Sequence, residues 1–308
     1  MQSYNGPIFF PGMRMSKSKL FPYAEALFAV IVWGASFIAT KVALQDLSPI
    51  TLVWLRFLMG VVILGLVVML RRQFSLPAKK EWGYFALLGF LGITFHQWLQ
   101  SNALQTSEAG TTAWIVSTTP VFMAVLGWFL LKERLGWTKS LGILLAFLGV
   151  LVVISRGDLS SISIGKFGAP GDGLVLISAI NWAVFSALSR RGLKTHSASL
   201  MMFFIMLLGW AFTTLIFIPT SGMGEILSVT SNTWLAVGFL GVFCSGLAYI
   251  AWYDALQALS TAQTGVFLYI EPLVTVVVAF FVLGEPITPA LLIGGAVILF
   301  GVRLVNRN

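Results

Sequence analysis

Charged residues are scarce in this sequence: Asp, Glu, Lys and Arg make up only 10% of its 308 residues, against roughly 25% in a soluble globular domain. Hydrophobic residues make up 58%, and the mean hydropathy is +0.92. One soluble core cannot hide so many apolar side chains, so lipid must cover the remainder. The composition therefore excludes a cytosolic enzyme and predicts an integral membrane protein.

Cysteine and histidine are nearly absent, which removes most metal and redox chemistry from consideration. The single cysteine, Cys244, cannot form an intramolecular disulfide, and two histidines in the whole chain make no metal-ligand cluster. The sequence also lacks the HExxH, GxSxG and GxxxxGKS/T motifs of metalloproteases, hydrolases and phosphate-binding loops. We therefore expect no catalytic residue, no metal and no cofactor, with energy supplied by a gradient or a partner chain.

Acidic residues are outnumbered, 11 against 19 basic ones, which gives a formal net charge of +8. The basic residues are scattered between apolar runs instead of lining one face, so they do not predict nucleic-acid binding. If the N-terminus is cytoplasmic, fifteen of the nineteen fall in inside segments, and only Lys41, Arg56, Arg156 and Lys166 do not. The positive-inside rule then predicts that both termini are cytoplasmic.

Ten apolar runs have the length that a bilayer crossing needs, about 17 to 25 residues. They lie near 23–44, 50–70, 82–103, 110–131, 138–155, 173–190, 198–218, 233–253, 264–283 and 289–305. The predicted fold class is therefore an all-α integral membrane protein with ten transmembrane helices.

The second part of the sequence repeats the first. A shift of 152 positions aligns 82–153 with 234–305 without a gap, and sixteen of the 72 positions are identical. Apolar bias explains shared Leu and Val, but it explains poorly the coincidence of Pro120 with Pro272 and of Glu133 with Glu285. A repeat of five helices crosses the membrane an odd number of times, so the sequence predicts two inverted five-helix repeats. Secondary transporters use that arrangement to expose a midplane site to each side in turn.

Short motifs in both halves resemble those of a known family. They are Trp33 to Phe37 with Lys41, Leu55-Arg56-Phe57, Pro120 with the 131–134 end of its helix, and Glu271-Pro272 with Leu283-Gly284-Glu285. With these motifs the chain resembles the drug/metabolite transporter superfamily, in its bacterial ten-helix branch with EamA-type repeats. The second half departs from the pattern, because the counterpart of Arg56 is not basic.

The resemblance implies a multi-pass protein of the bacterial inner membrane that exports amino acids, related amphipathic metabolites or drugs. Its partners would be the small-molecule substrate and the lipid bilayer. The implied domains are a cytoplasmic segment at 1–22, one repeat at 23–155, an external linker at 156–172 and the second repeat at 173–305.

Glu271 and Arg56 are charged residues within apolar runs, where an ionised side chain is costly unless it is protonated, paired or facing water. Glu271 either belongs to a proton or substrate site, or is structural and bonds the backbone opened by Pro272 or pairs with Arg56. Arg56 either holds a substrate carboxylate through two parallel hydrogen bonds or reaches the headgroups. For Lys41, reaching the headgroups is the favoured interpretation.

Polar and aromatic residues supply the other candidate site residues. His96 and Gln100 are four apart and share one helix face, where they serve either a substrate and proton site or interhelical hydrogen bonding. Trp33, Trp182, Tyr249 and Tyr269 are aromatic candidates for a cavity lining, although such residues also mark membrane interfaces. The predicted substrate-binding set is therefore Trp33, Arg56, His96, Gln100, Trp182, Tyr249, Tyr269 and Glu271.

Prolines and glycines recur at matched places in the two repeats. Pro120 and Pro272 each remove a backbone hydrogen bond near the midplane and are candidate hinges, or kinks that serve packing. Gly142, Gly149, Gly294 and Gly301 permit close helix approach, either within the protein or in a homodimer.

The alternatives to a transporter are an intramembrane enzyme and a scaffold or receptor subunit. The motif content does not favour an enzyme, and a scaffold or receptor subunit would not need a duplicated, inverted body.

Overall fold

A computed structural model of the chain describes residues 20–131, 136–158, 168–259 and 261–306, and its regular structure in these ranges is entirely helical. The N-terminal segment up to residue 19, residues 159–167 of the expected linker, and Glu133 lie outside the described residues.

The described part of the first half contains seven α-helices in five runs. They are α1 (Phe21–Ala43), α2 (Pro49–Leu70), α3 (Trp82–Gly89), α4 (His96–Ala103), α5 (Ala109–Val116), α6 (Thr119–Leu131) and α7 (Trp137–Ile154). A 3₁₀ turn at Lys79–Glu81 precedes α3, and a π-helical segment, Phe90–Phe95, joins α3 to α4 into one continuous helix.

The second half follows the same order with one addition. Its helices are α8 (Pro170–Gly192), α9 (Ala198–Phe217), α10 (Gly222–Leu227), α11 (Ser231–Gly238), α12 (Ala248–Ala258), α13 (Thr261–Phe267), α14 (Ile270–Leu283) and α15 (Pro289–Val305). A second π-helical segment, Phe239–Leu247, joins α11 to α12. The short helix α10 has no counterpart among the described residues of the first half.

Eight helices in the described part of the chain are long and apolar enough to cross a membrane. They are Phe21–Ala43, Pro49–Leu70, Ala109–Phe129, Trp137–Ile154, Pro170–Gly192, Ala198–Phe217, Ser231–Ala258 and Gln263–Leu283. The apolar helix α15 is shorter, and the helix at 82–103 carries the polar residues His96, Gln97 and Gln100 in its second part. The chain is therefore a multi-pass, all-helical membrane protein.

Large apolar side chains cover much of the outside of the helices. Phe129 and Phe281, which coincide in the sequence repeat, are 66% and 78% exposed. Side chains of this size are left exposed in such numbers only where the surrounding medium is itself apolar. The outer surface therefore faces lipid hydrocarbon.

Two helices break at matched places, just before Pro120 and Pro272. A turn at 117–118 separates α5 from α6, and a turn at 268–269 separates α13 from α14. Proline has no N–H to donate and is tolerated in the first turn of a helix, where that N–H would have no intrahelical partner. The two prolines accordingly lie in the first turns of α6 and α14 instead of bending continuous helices.

Helices of the two halves pack against each other in pairs. Extensive contacts join α7 to α15, α2 to α9, α3 to α9, α1 to α12 and α14, and α8 to α4 and α6. A Cβ atom on Gly142 would lie 2.6 Å from the Gly301 carbonyl oxygen, and one on Gly149 would lie 2.7 Å from that of Gly294. The matched glycines thus form the close contact between α7 and α15 inside the chain.

Candidate functional site

A cavity of about 120 Å³ lies between the two halves. Its lining includes seven of the eight candidate site residues, contributed by α1, α2, α4, α8, α12 and α14. These seven are Trp33, Arg56, His96, Gln100, Trp182, Tyr249 and Glu271. The lining also includes Ser36, Thr40, Gln97 and Ser101, which were not in the predicted set. Isolated Ser and Thr are common in transmembrane helices without any site, so the sequence does not single them out.

Tyr269 is the candidate that does not line the cavity. It lies in the turn before α14, and its hydroxyl accepts a hydrogen bond from Asn306 Nδ2 at 3.2 Å. Its neighbour Leu268 lines the cavity instead. Because the helix breaks at this point, a continuous helical phase does not predict which of the two residues faces inward.

Arg56 is a buried cation that lines the cavity. Its residue surface is 5% exposed, its Nε donates to Ser245 Oγ at 3.2 Å, and its Nη1 donates to Gln97 Oε1 at 3.1 Å. Both acceptors are neutral, and no described carboxylate forms an ion pair with the guanidinium. Because the side chain is buried and bonded inside the protein, it does not extend to the headgroups.

Glu271 stands in the first turn of α14, directly after the helix break. Among the described residues, no hydrogen bond or ion pair reaches its carboxylate, so neither Arg56 nor the backbone freed by Pro272 is its partner. Its position is nonetheless favourable for a negative charge, because the N-terminal end of a helix carries a partial positive charge. The carboxylate therefore faces the cavity with its hydrogen-bonding capacity unused.

His96 and Ser101 are further lining residues that each have a polar atom without a hydrogen-bond partner. The His96 ring packs on Trp182 with centroids 4.6 Å apart, and its Nδ1 has no hydrogen-bond partner in the described structure. Ser101 Oγ has none either, although the residue is only 1% exposed. Buried polar atoms in proteins are nearly always satisfied, and water or a ligand in the cavity would satisfy these two atoms.

Aromatic rings enclose the cavity from both halves. Trp33 contacts Tyr249 and Trp252, with ring centroids 5.4 Å apart in each pair, and Trp182 packs on Phe185 at 4.7 Å. Such rings provide large apolar surfaces whose edges and faces contact flat or amphipathic ligands.

The two π-helical segments help to hold these rings in place. The Cys244 carbonyl oxygen in the second segment accepts a hydrogen bond from Trp33 Nε1 at 3.2 Å. The Leu91 carbonyl oxygen in the first segment accepts one from Asn181 Nδ2 at 2.8 Å, beside Trp182. In each half, the first helix is therefore tied to a π-helical segment of the other half.

Lys41 does not reach towards the headgroups, which corrects the interpretation favoured from the sequence. Its Nζ donates to the Ser107 carbonyl oxygen at 2.8 Å and pairs with Glu285 Oε1 at 3.1 Å. Lys41 follows Thr40, which lines the cavity. The ion pair therefore lies beside one end of the cavity and spans the two halves.

The described residues contain no group of three or more His, Cys, Asp or Glu side chains able to hold a metal ion. The chemistry available in the cavity is therefore that of one guanidinium, one carboxylate, one imidazole, hydroxyl and amide groups, and aromatic rings. This set is suited to binding a small ligand that has both polar and apolar parts.

Comparison with known proteins identifies the family of the chain and finds a solved structure with a similar fold. The EamA-like transporter family model matches residues 21–155 and again 169–307. An uncharacterized transporter of Archaeoglobus fulgidus is 30% identical over 91% of this chain and 95% of the relative. A probable terminal-alkyne amino-acid exporter of Streptantibioticus cattleyicolor is 27% identical over 91% of both chains.

A solved crystal structure superposes with a TM-score of 0.63, covering 92% of this chain and 96% of the other at 22% identity. This likeness concerns the fold alone. The family model, in contrast, covers both halves of the sequence, and the relatives match over nearly their full lengths. The chain belongs to the EamA-like transporter family of the drug/metabolite transporter superfamily.

Proposed function

We propose that the protein is a secondary transporter that exports small metabolites across the inner membrane by alternating access. Its substrates are amino acids or related amphipathic compounds and drugs. The observation that carries this proposal is the cavity between the two halves, which combines an unpaired guanidinium and an unpaired carboxylate with aromatic rings. A scaffold has no use for charges held at this depth, because each costs several kcal/mol to desolvate (about 2.5 to 3.5 on insertion scales).

The proposed architecture has ten membrane crossings, formed by inverted repeats at 23–155 and 173–305, with both termini cytoplasmic. The apolar helix α15 and the helix at 82–103 complete the eight longer spans. The first helix of the first half, α1, packs on α12 of the second half, and the first helix of the second half, α8, packs on α4 of the first half. This reciprocal packing supports a two-fold relationship between the halves. The sequence repeat and the excess of basic residues in alternate connections support the inversion and the orientation.

Alternating access requires contacts between the halves that break on one side while others form on the opposite side. At the proposed outer end, Lys41 pairs with Glu285 and Ser107 Oγ donates to Asp172 Oδ1 at 2.7 Å. At the proposed inner end, Arg71 makes two hydrogen bonds to the Asp254 carboxylate, at 2.8 and 2.7 Å. The helix breaks before Pro120 and Pro272 are the proposed hinges, because backbone without a helical hydrogen bond rotates at little cost.

The substrate-binding set that we propose comprises the seven candidates that line the cavity. Arg56 and Glu271 supply opposite charges, His96 and Gln100 supply hydrogen bonds, and the aromatic rings supply apolar contact. The name of the Streptantibioticus relative, an amino-acid exporter, supports amino acids as the first compounds to examine.

Flux in proteoliposomes tests the proposal. Purified protein should give saturable movement of at least one member of a panel of amino acids and toxic analogues, and overexpressing cells should tolerate that analogue better. Phe281→Ala is the matched control, since this side chain is 78% exposed to lipid and should leave flux unchanged. Chemical conversion of the compound would favour an intramembrane enzyme, and absence of any flux across the panel would favour a scaffold.

A further inference from the structure

The cavity contains a positive charge that no described carboxylate contacts. Arg56 is 95% buried, and the two groups bound to its guanidinium, Gln97 Oε1 and Ser245 Oγ, are neutral. A buried charge without a counter-charge is strongly destabilising, whereas the same charge with a well-placed partner is tolerated. A guanidinium has five N–H donors, and the two described bonds use two of them.

The geometry of these two bonds fixes the orientation of the guanidinium. Gln97 comes from α4 of the first half and Ser245 from the π-helical segment of the second half, so the group is held from two directions. The orphaned His96 Nδ1 and Ser101 Oγ line the same cavity from α4. One end of the cavity therefore presents a fixed cation together with unsatisfied polar atoms.

We propose that this end of the cavity binds the carboxylate group of the transported compound, with Arg56 as its counter-charge. The planar fork of a guanidinium matches the two oxygens of a carboxylate. Among the described lining residues Arg56 is the lone cation, and the nearby Lys41 is already paired with Glu285. Glu271 lines the same cavity but makes no contact with Arg56. One guanidinium matches one monoanionic group, which favours a carboxylate over a phosphate dianion.

The inference rests on the proposed function, but binding measurements test it separately from flux. The probes are phenylacetate, 3-phenylpropanoate, phenylalanine and leucine, each compared with its own carboxamide, and the dissociation constants are measured on the purified protein in nanodiscs. At least one carboxylate should bind about tenfold more tightly than its amide, because a hydrogen bond to a charged group is stronger than a neutral one. Equal dissociation constants for every acid and its amide would overturn the proposal. A binding signal of the same size with sodium chloride or methyl phosphate in place of the carboxylate would also overturn it.

Two substitutions then assign the preference to Arg56. Gln97→Glu places a carboxylate where the amide oxygen lies 3.1 Å from Arg56 Nη1, so the protein itself supplies the counter-charge and the acid-over-amide preference should fall below about twofold. Asn102→Asp is the matched control, an amide-to-acid change on the same helix whose side chain bonds the Trp98 carbonyl oxygen and does not line the cavity. It should retain the full preference.

Arg56→Lys keeps the charge without the planar fork and should weaken acid binding less than Gln97→Glu does. Retention of the full acid preference in Gln97→Glu would overturn the assignment to Arg56, as would equal loss in Asn102→Asp. Selective acid binding without flux would contradict the transport function while leaving this inference standing. Flux of a compound whose acid and amide forms bind equally would support the transport function and contradict this inference.

Discussion

Lys41 and Glu285 form an ion pair that also caps a helix. The Glu285 carboxylate accepts the backbone N–H groups of Ala109 at 2.8 Å and Gly110 at 3.1 Å, at the start of α5, while its Oε1 pairs with Lys41. Gly284, with φ +67°, ends α14 and turns the chain so that Glu285 reaches this position. One carboxylate thus connects α1 and α5 of the first half to the end of α14.

Removing either partner of this ion pair should destabilise the protein by different amounts. Glu285→Ala should lower Tm more than Lys41→Met, because it also leaves the two N–H groups at the start of α5 without their acceptor. The side chains are only 25% and 12% exposed, so a double-mutant cycle should give a coupling of about 1 kcal/mol. Thermal unfolding of the two single variants and the double variant measures it. Additive losses would mean that the pair does not contribute as a unit.

Glu271→Gln should lower transport several-fold and leave expression and Tm nearly unchanged. Glutamine keeps the shape of the side chain but cannot ionise or exchange a proton, and no described partner of the carboxylate is lost. The measurement is proteoliposome flux across about pH 6 to 8, the range in which a proton-coupled transporter works. Glu108→Gln is the isosteric control, since that carboxylate pairs with Arg156 at 2.7 Å away from the cavity. Normal flux of Glu271→Gln at every pH would make Glu271 structural.

The contact between Glu225 and Ser48 should make stability depend on pH. Burial raises the pKa of Glu225, but hydrogen bonds from the Ser48 N–H at 2.9 Å, the Thr51 hydroxyl and the Ser48 hydroxyl at 2.9 Å together outweigh it and hold the pKa below its ordinary value. This contribution is therefore complete above the ordinary glutamate pKa of about 4.3 and is lost as the pH falls through the lower folded value.

Glu225→Gln should accordingly lower Tm at neutral pH and reduce the loss of Tm on acidification. Thermal unfolding at a series of pH values, with wild type and variant side by side, measures both effects. If the Tm values of wild type and variant fell in parallel as the pH is lowered, protonation of Glu225 would not contribute to the loss of stability in acid. Because α10 lies outside the membrane-spanning segments, the measurement leaves the cavity untouched.

The proposed orientation predicts which surfaces a membrane-impermeant thiol reagent reaches. In a background without Cys244, Ser228→Cys should be labelled in intact cells, whereas Ser75→Cys and Lys194→Cys should be labelled only after the membrane is opened. All three positions are exposed, so accessibility within the protein does not decide the outcome. The opposite pattern would reverse the orientation. Labelling of Ser75→Cys and Lys194→Cys from opposite sides would contradict the crossing pattern itself.

Much of the fold was predictable because lipid imposes a simple rule on sequence. A helix must be apolar over about 20 residues, and polar or proline-containing turns must separate such helices. The apolar runs therefore predicted the helices closely, and the matched positions of Pro120 and Pro272 coincide with the two helix breaks. The cavity lining followed partly from depth alone, since polar residues within apolar runs must turn inward.

The remaining features depend on contacts that only the folded chain provides. The pairing of Lys41 with Glu285 joins residues 244 positions apart, and a lysine near a helix end has the same local sequence whether it is paired or reaches the lipid headgroups. The π-helical segments, FLGITF and FLGVFCSGL, are as apolar as the α-helices around them, so their composition does not distinguish them. The exclusion of Tyr269 from the cavity results from the helix break beside it.

The π-helical segments set the phase of the helices that follow them. Under the 152-residue shift, Phe90–Phe95 corresponds to 242–247 within the second segment. One residue corresponds to about 100° of helical rotation, so a single-residue deletion in either segment would turn Gln97 or Tyr249 away from the cavity. The two halves therefore share the position of these segments but not the side chains that follow them, since His96 aligns with Ala248.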